Sequence, residues 1–147
     1  MSEQNKVYNI NETASIADPG PLGLACFALT TFCLSLVNAG IVAAQAEMFV
    51  LMLALVYGGT VQIFAGMWEF KKNNVFGATA FSSYGSFWVA FALYVLGASS
   101  FGWFEAYTPA VAMFLIAWTI FTAYMWIGTF ALNNGLLVVF TLLLITF

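Results

Sequence analysis

The sequence contains no histidine and no arginine, and its charged residues are limited to three lysines and six carboxylates among 147 positions. Soluble domains carry about a quarter charged residues, because a folded surface must be hydrated. This chain has 6% charged and 63% hydrophobic residues, which excludes a water-soluble globule. Nucleic acid is also excluded as a partner, since the net charge is −3 and no basic patch is present to neutralise phosphates.

The same shortages restrict the chemistry. Without histidine, imidazole metal ligands and imidazole acid–base catalysis are absent. The two cysteines, Cys26 and Cys33, lie two helical turns apart in an apolar run, too far apart along one helix for a disulfide. No carboxylate pair and no Ser–Lys pair lies deep within an apolar run. The sequence therefore predicts no enzyme, no metal site and no cofactor.

Long uncharged runs make up most of the chain. A helix needs about 20 apolar residues to cross the ~30 Å hydrocarbon core. The runs predict four crossings and the start of a fifth helix, near 21–44, 48–69, 75–96 and 109–131, and from 135. The predicted fold is all-α, a polytopic transmembrane helical bundle. Only about 13 residues remain for the fifth helix, too few for a crossing, so we expect the chain to be truncated there.

Residues 1–20 differ from the rest, because they are polar and contain three carboxylates. We expect a short, poorly ordered tail over 1–20 and a transmembrane domain over 21–147. The tail lacks the basic segment of a signal peptide. Its Lys6 and the Lys71–Lys72 pair after the second predicted helix would lie on one side of the membrane. Short loops with lysine face the cytoplasm, which predicts a multi-pass plasma-membrane protein with a cytoplasmic N-terminus.

Polar side chains inside the apolar runs are the candidates for function, because packing in lipid does not require them. The first run contains Asn38, the second contains Gln62, and the third contains the cluster 82–86 with Tyr84 at its centre. Hydroxyls and amides at depth can equally act as interhelical glue, and for Asn38 and Gln62 both interpretations stay open. Tyr84 favours function, because tyrosine usually prefers the membrane interface to the bilayer centre.

Two segments resemble a known family. One is GGTVQIFAGMWEFKKNNVFGATAFSSYGSFW over 58–88, and the other is DPGPLGL over 18–24. Both are similar to signature segments of the acetate uptake transporter family, and the resemblance extends over 18–147. The family has Asn where this chain has Asp18. The carboxylate can still cap the first helix, but unlike an amide it cannot donate a hydrogen bond to a substrate.

The resemblance implies six helices, of which about four and a half to five are present here, in a homohexamer whose protomers each contain a pathway. It implies transport of acetate and other short monocarboxylates, with succinate for some members, commonly by symport with a proton. With no cation inside the crossings, the neutral acid should cross at lower cost than the anion. The alternative is a channel-like passive path for a small neutral solute such as ammonia or urea.

The resemblance also assigns a hydrophobic constriction. By local match it falls on Phe27, Tyr84 and Leu142, with Leu143 as the alternative to Leu142 because the preceding loop is one residue shorter here. An apolar ring can gate by dewetting. The Tyr84 hydroxyl can in addition bond a carboxyl group.

Further polar residues are predicted along the substrate pathway. They are Asn38, Gln62, Ser82 and Ser83. Asp18 and Glu69 are candidates for a proton or motif role. Because Glu69 falls at a predicted helix end, where water is available, we favour an interfacial charge that ends the helix over a proton acceptor.

Overall fold

The computed structural model describes residues 16–147, and all regular structure in this range is helical. Residues 1–15 of the predicted tail over 1–20, with Lys6, lie outside the described residues. The helices are α1 (Gly20–Asn38), α2 (Ala44–Lys71), α3 (Val75–Ser99), α4 (Thr108–Thr129) and α5 (Asn134–Thr146). The first four are long and apolar enough to cross a membrane. The predicted number, order and type of the elements are therefore confirmed.

The first helix ends six residues before the predicted position. Gly40 adopts a left-handed conformation, with φ of +70°, and its N–H donates to the carbonyl of Val37 while the N–H of Ile41 donates to Leu36. These two bonds form a Schellman motif, which glycine favours because it has no Cβ atom. Asn38 is consequently the last residue of α1 and is exposed. The prediction that it lies buried within a crossing was wrong.

The middle of α2 is π-helical over Ala54–Val61, which the apolar pattern does not predict. The Thr60 hydroxyl donates to the carbonyl of Leu55 at 2.8 Å, five residues earlier. Segments with i→i+5 bonding are rare and occur frequently at functional sites. The widened turn ends where Gln62 begins the next α-helical segment, so it sets the direction in which Gln62 leaves the helix.

The main helix contact in the fold is that of α2 with α3, and it is built from small residues. A Cβ atom at Gly85 would lie 2.7 Å from Cγ1 of Ile63 and 2.8 Å from the carbonyl oxygen of Gly59. A Cβ atom at Gly66 would overlap Ser82. Such close approach of backbones stabilises helix pairs in lipid, where no hydrophobic effect acts between helices.

The last two helices pack against α3 through aromatic rings, and Trp126 of α4 donates to the Thr141 hydroxyl of α5 at 2.8 Å. On the outside, large apolar side chains such as Phe32 of α1 and Ile120 of α4 are exposed. A soluble protein would not leave such continuous apolar faces in water. The chain is therefore a polytopic all-α membrane protein, as predicted.

The small-residue contact between α2 and α3 predicts a specific weakness. Gly85→Ala should destabilise the protein by about 1–3 kcal/mol, the usual cost of overpacking, because the obstructing Gly59 carbonyl is backbone and cannot move aside. The matched control is Gly128→Ala, whose Cβ atom would meet only the ring of Phe76, at 3.3 Å. Thermal unfolding of both variants in detergent measures the difference. Equal stability would contradict the account of this contact.

Candidate transport pathway

A cavity of about 430 Å³ lies between α1, α2, α3 and α5. Its mouth is polar and is lined by residues at the ends of these helices, namely Asp18, Glu69, Asn74 and Asn133. Its inner end is lined by Phe27, Gln62, Tyr84, Phe140 and Leu143. We call the polar mouth the vestibule and the inner ring of Phe27, Tyr84 and Leu143 the constriction. The cavity thus leads from charged and amide groups to an aromatic and aliphatic barrier.

Tyr84 is the centre of the constriction. Its side chain is 3% exposed, and its hydroxyl lies 2.9 Å from the Thr122 hydroxyl of α4. Five rings surround it with centroid distances of 5.4 to 6.4 Å, those of Phe27, Trp118, Phe121, Phe140 and Phe147. Phe27, which was predicted together with Tyr84, is one of these rings. Thr122 lies 38 residues from Tyr84 in the chain, and a sequence pattern does not pair residues that far apart.

The third residue of the predicted constriction needs correction. Leu142 lies on the outer face of α5 and is 60% exposed, and it does not line the cavity. Leu143 lines the cavity and packs with the cluster around Tyr84. Because one residue turns a helix by about 100°, the two neighbouring leucines of α5 face different directions. The alternative, Leu143, is the one that faces the cavity.

Gln62 lines the cavity beside the constriction. Its side chain is 1% exposed, and neither its amide nitrogen nor its amide oxygen has a hydrogen-bond partner among the described residues. An amide buried without partners costs about 1–3 kcal/mol, and such groups in native proteins call for an explanation, such as a bound water or ion. Because Gln62 lines the cavity, water or a polar ligand in the cavity can supply the missing partner.

The other predicted pathway residues are not brought to the cavity. Ser82 has a buried hydroxyl without a partner among residues 16–147, but it packs against Gly66 in the contact between α2 and α3. Ser83 is half-buried and does not line the cavity, and Asn38 is exposed at the end of α1. Of the four polar residues predicted for the pathway, Gln62 alone borders this cavity.

Glu69 is not the solvated interfacial charge that its position near a helix end suggests. Its side chain is 2% exposed and lines the vestibule. The Asn74 side-chain amide donates to its Oε2 at 2.8 Å. Glu69 does lie near the end of α2, and its burial comes from the start of α3, since Asn74 and Gly77 pack against its carboxyl group. The residues that follow it, Phe70 and Lys71, remain exposed.

Asp18 lines the same mouth as Glu69, but it is exposed to solvent. Its carboxylate accepts a hydrogen bond from the N–H of Gly20 at 3.1 Å, and pairs with the ammonium group of Lys72 at 3.4 Å. The Gly20 hydrogen bond, aided by the charge of Lys72, lowers the pKa of Asp18. The residue therefore binds the first N–H of α1, close to the capping role predicted for it, while Pro19 holds the formal N-cap position.

The buried contact between Tyr84 and Thr122 can be tested by a double-mutant cycle. We expect Tyr84→Phe and Thr122→Val to couple by about 0.5–1.5 kcal/mol, the net worth of one hydrogen bond. Chemical unfolding in detergent of the two single variants and the double variant gives this number. Strict additivity would show that the two hydroxyls do not bond to each other.

Comparison with known proteins adds independent information. The chain matches the GPR1/FUN34/yaaH family over residues 2–147. It is 45% identical over 132 residues to acetate permease A of Emericella nidulans, covering 83% of this chain and 44% of the permease. It is 42% identical over 115 residues to the succinate-acetate/proton symporter SatP of Escherichia coli K12, covering 78% of this chain and 60% of the symporter. The chain thus spans about half the length of these curated relatives.

A solved structure gives the same result at the level of the fold. The bacterial acetate channel SatP superposes with a TM-score of 0.80 at 40% sequence identity, covering 86% of this chain and 69% of the channel. A likeness of this extent confirms the resemblance identified from the signature segments. All three proteins are named for transport and none for an enzymatic reaction.

Proposed function

The chain belongs to the GPR1/FUN34/yaaH family, and on that premise we propose that it transports acetate and other short monocarboxylates, and also the dicarboxylate succinate, across the plasma membrane. The observation that carries the proposal is the unpartnered amide of Gln62, buried at the inner end of a cavity. An amide donates to a carboxylate oxygen and accepts from the O–H of a protonated acid, so it can bind a short acid in either form.

In the proposed pathway, a short acid enters the vestibule, exchanges water for the Gln62 amide, and then passes the constriction. The ring centroids of Phe27 and Tyr84 lie 5.6 Å apart. These rings and Leu143 present few polar groups that could replace the water around a hydrated ion. Passage therefore requires the solute to shed its water. The neutral acid, or an anion accompanied by a proton, crosses such a barrier at lower cost than an unpaired charge.

The surroundings of the chain follow from the same premise. The proposed partners are a short carboxylate, the lipid bilayer, and further copies of the chain in a homohexamer. The exposed apolar faces of α1 and α4 suit contact with lipid or with neighbouring protomers. Lys72 pairs with Asp18, which lines the mouth of the cavity, and the preference of lysine for cytoplasmic loops would place that mouth, and the N-terminus with it, in the cytoplasm.

Uptake of labelled acetate into proteoliposomes tests the function directly. We expect saturable uptake that an inward proton gradient increases and that other short monocarboxylates inhibit, measured against protein-free liposomes because acetic acid also crosses lipid. A linear uptake that ignores the gradient would instead indicate a passive channel. Absence of acetate flux would overturn the proposal, and ammonia and urea would then be the solutes to test.

Two neighbouring leucines provide a matched test of the constriction. Leu143→Ala should widen the path and raise the uptake of larger monocarboxylates relative to acetate, because Leu143 lines the cavity. Leu142→Ala removes the same atoms from the outer face of α5 and should leave this ratio unchanged. Competition of labelled acetate uptake by acids of increasing chain length measures the ratio. The reverse pattern would place Leu142 at the constriction after all.

Replacement of Gln62 distinguishes a role in substrate binding from a role in holding the helices together. Gln62→Leu should lower acetate uptake at least about tenfold, since a hydrogen bond to a charged group is worth ~1.5–3 kcal/mol. The same change should leave the thermal stability unaltered or higher, because it removes an unpartnered buried amide. Gln45→Leu, at an exposed position, is the control. A loss of stability in Gln62→Leu would indicate instead that the amide bonds to protein.

A further inference from the structure

We propose that Glu69 is the proton-binding residue of the pathway, and that its protonation permits a carboxylate anion to bind in the cavity. The inference rests on the proposed function, because it assumes a short carboxylate as the ligand. It adds the residue through which proton and substrate are coupled. Three features of the vestibule support it, namely the state of Glu69, the helix ends around it, and the pairing of the other charges.

Glu69 is a buried carboxyl group that has no counter-ion in the described part of the chain. Within residues 16–147 the only salt bridge joins Lys72 to Asp18, and the only side-chain hydrogen bond to Glu69 comes from Asn74. Its other oxygen, Oε1, lies beside the start of α1, 3.4 Å from where a Cβ atom at Gly20 would be. A carboxyl group that lines a cavity and has no fixed cation can exchange a proton with whatever enters that cavity.

The vestibule otherwise favours anions, because three helices begin at it. The cavity is lined by the first residues of α1, α3 and α5, and a helix N-terminus carries a partial positive charge. The capping oxygens of Asn74 and Asn133 each take one first-turn N–H, those of Gly77 and Leu136. The unpartnered amide of Gln62 further inside is an independent sign that a polar ligand enters this space.

The remaining charges around the vestibule are compensated. Asp18, at the start of α1, is paired with Lys72. Lys71 lies over the ring of Trp68, at 5.7 Å from its centroid. The facing helices α3 and α5 contain no Asp, Glu, Lys or Arg, and Tyr84 is the titratable group that they contribute to the cavity lining. The charge of Glu69 is thus the one that decides whether the vestibule repels or accepts an anion.

Glu69 and Gln62 can influence the same ligand. They are seven residues apart on one face of α2, about 10 Å along the helix axis. At an effective dielectric constant of about 20, two negative charges at that distance weaken the binding of the second by roughly tenfold. By linkage, a bound anion favours protonation of Glu69 by the same factor. The proton comes from solvent and is held on a Glu69 oxygen while the anion is bound, so the occupied vestibule carries the same net charge as the empty one.

Calorimetric titration of the purified protein with sodium acetate tests the inference, when it is performed over a range of pH in buffers that differ in ionisation enthalpy. A tenfold linkage corresponds to an uptake of at most about half a proton for each acetate bound, and we expect the wild type to show such an uptake within this range. Glu69→Gln, which keeps an acceptor for Asn74, should take up none and should bind acetate about tenfold more tightly, because it mimics the protonated side chain.

Two further variants serve as controls for the measured proton uptake. Glu69→Asp retains a carboxyl group and should retain the proton uptake, which a merely structural role of Glu69 would not predict. Glu105→Gln removes an exposed carboxylate that does not line the cavity and should behave as wild type. Equal proton uptake by Glu69→Gln and wild type would overturn the inference while leaving acetate binding in place. Absence of acetate binding in all variants would overturn the proposed function itself.

Discussion

The close contact between α2 and α3 is the constraint on which the pathway depends. Gly59, Gly66 and Gly85 let the two backbones approach so closely that no Cβ atom fits between them. Gln62 lies between Gly59 and Gly66, and Tyr84 is the neighbour of Gly85, so the same contact fixes the amide and the phenol beside the same inner end of the cavity. The π-helical segment before Gln62 sets the direction of the amide. The packing of α2 against α3 therefore also determines the geometry of the proposed binding site.

Along the cavity the environment changes from helix ends to aromatic rings. The vestibule offers partial positive charge from three helix starts and one uncompensated carboxyl group, whereas the constriction offers rings and a leucine. In the proposed function, the vestibule attracts the small acid, and the constriction removes its water. This division suits a membrane protein without any lysine or arginine inside its crossings, because helix ends can attract an anion without burying a full cation.

The crossings and the turn at Asn133 were predictable from sequence, because they follow from hydropathy and from residues that are near one another in the chain. Phe27 was named through the resemblance to a known family, because no local pattern pairs it with Tyr84. Predictions failed where a small change of register decides the outcome. One residue of rotation separates Leu142 from Leu143, and one left-handed glycine ends α1 before Asn38 can be buried.

Other features required the three-dimensional contacts. Glu69 stands near a helix end, which normally means solvation, and only the return of α3 over that end buries it. The bond between Tyr84 and Thr122 joins two helices that the sequence does not pair. The apolar pattern of the sequence does not predict the π-helical turn. The two adjacent glycines, Gly58 and Gly59, indicate only that the backbone approaches a neighbour there.

In the proposed pathway, a short carboxylate binds at the Gln62 amide, between the vestibule and the constriction. A crystal structure with bromoacetate locates such a ligand, because bromine has anomalous scattering, and the variant Cys26→Ala, Cys33→Ala avoids alkylation of the two free thiols. We expect an anomalous peak in the cavity between Gln62 and Tyr84, with the carboxylate toward the amide. A cavity without bromine, in which Gln62 bonds to another protein group, would contradict it.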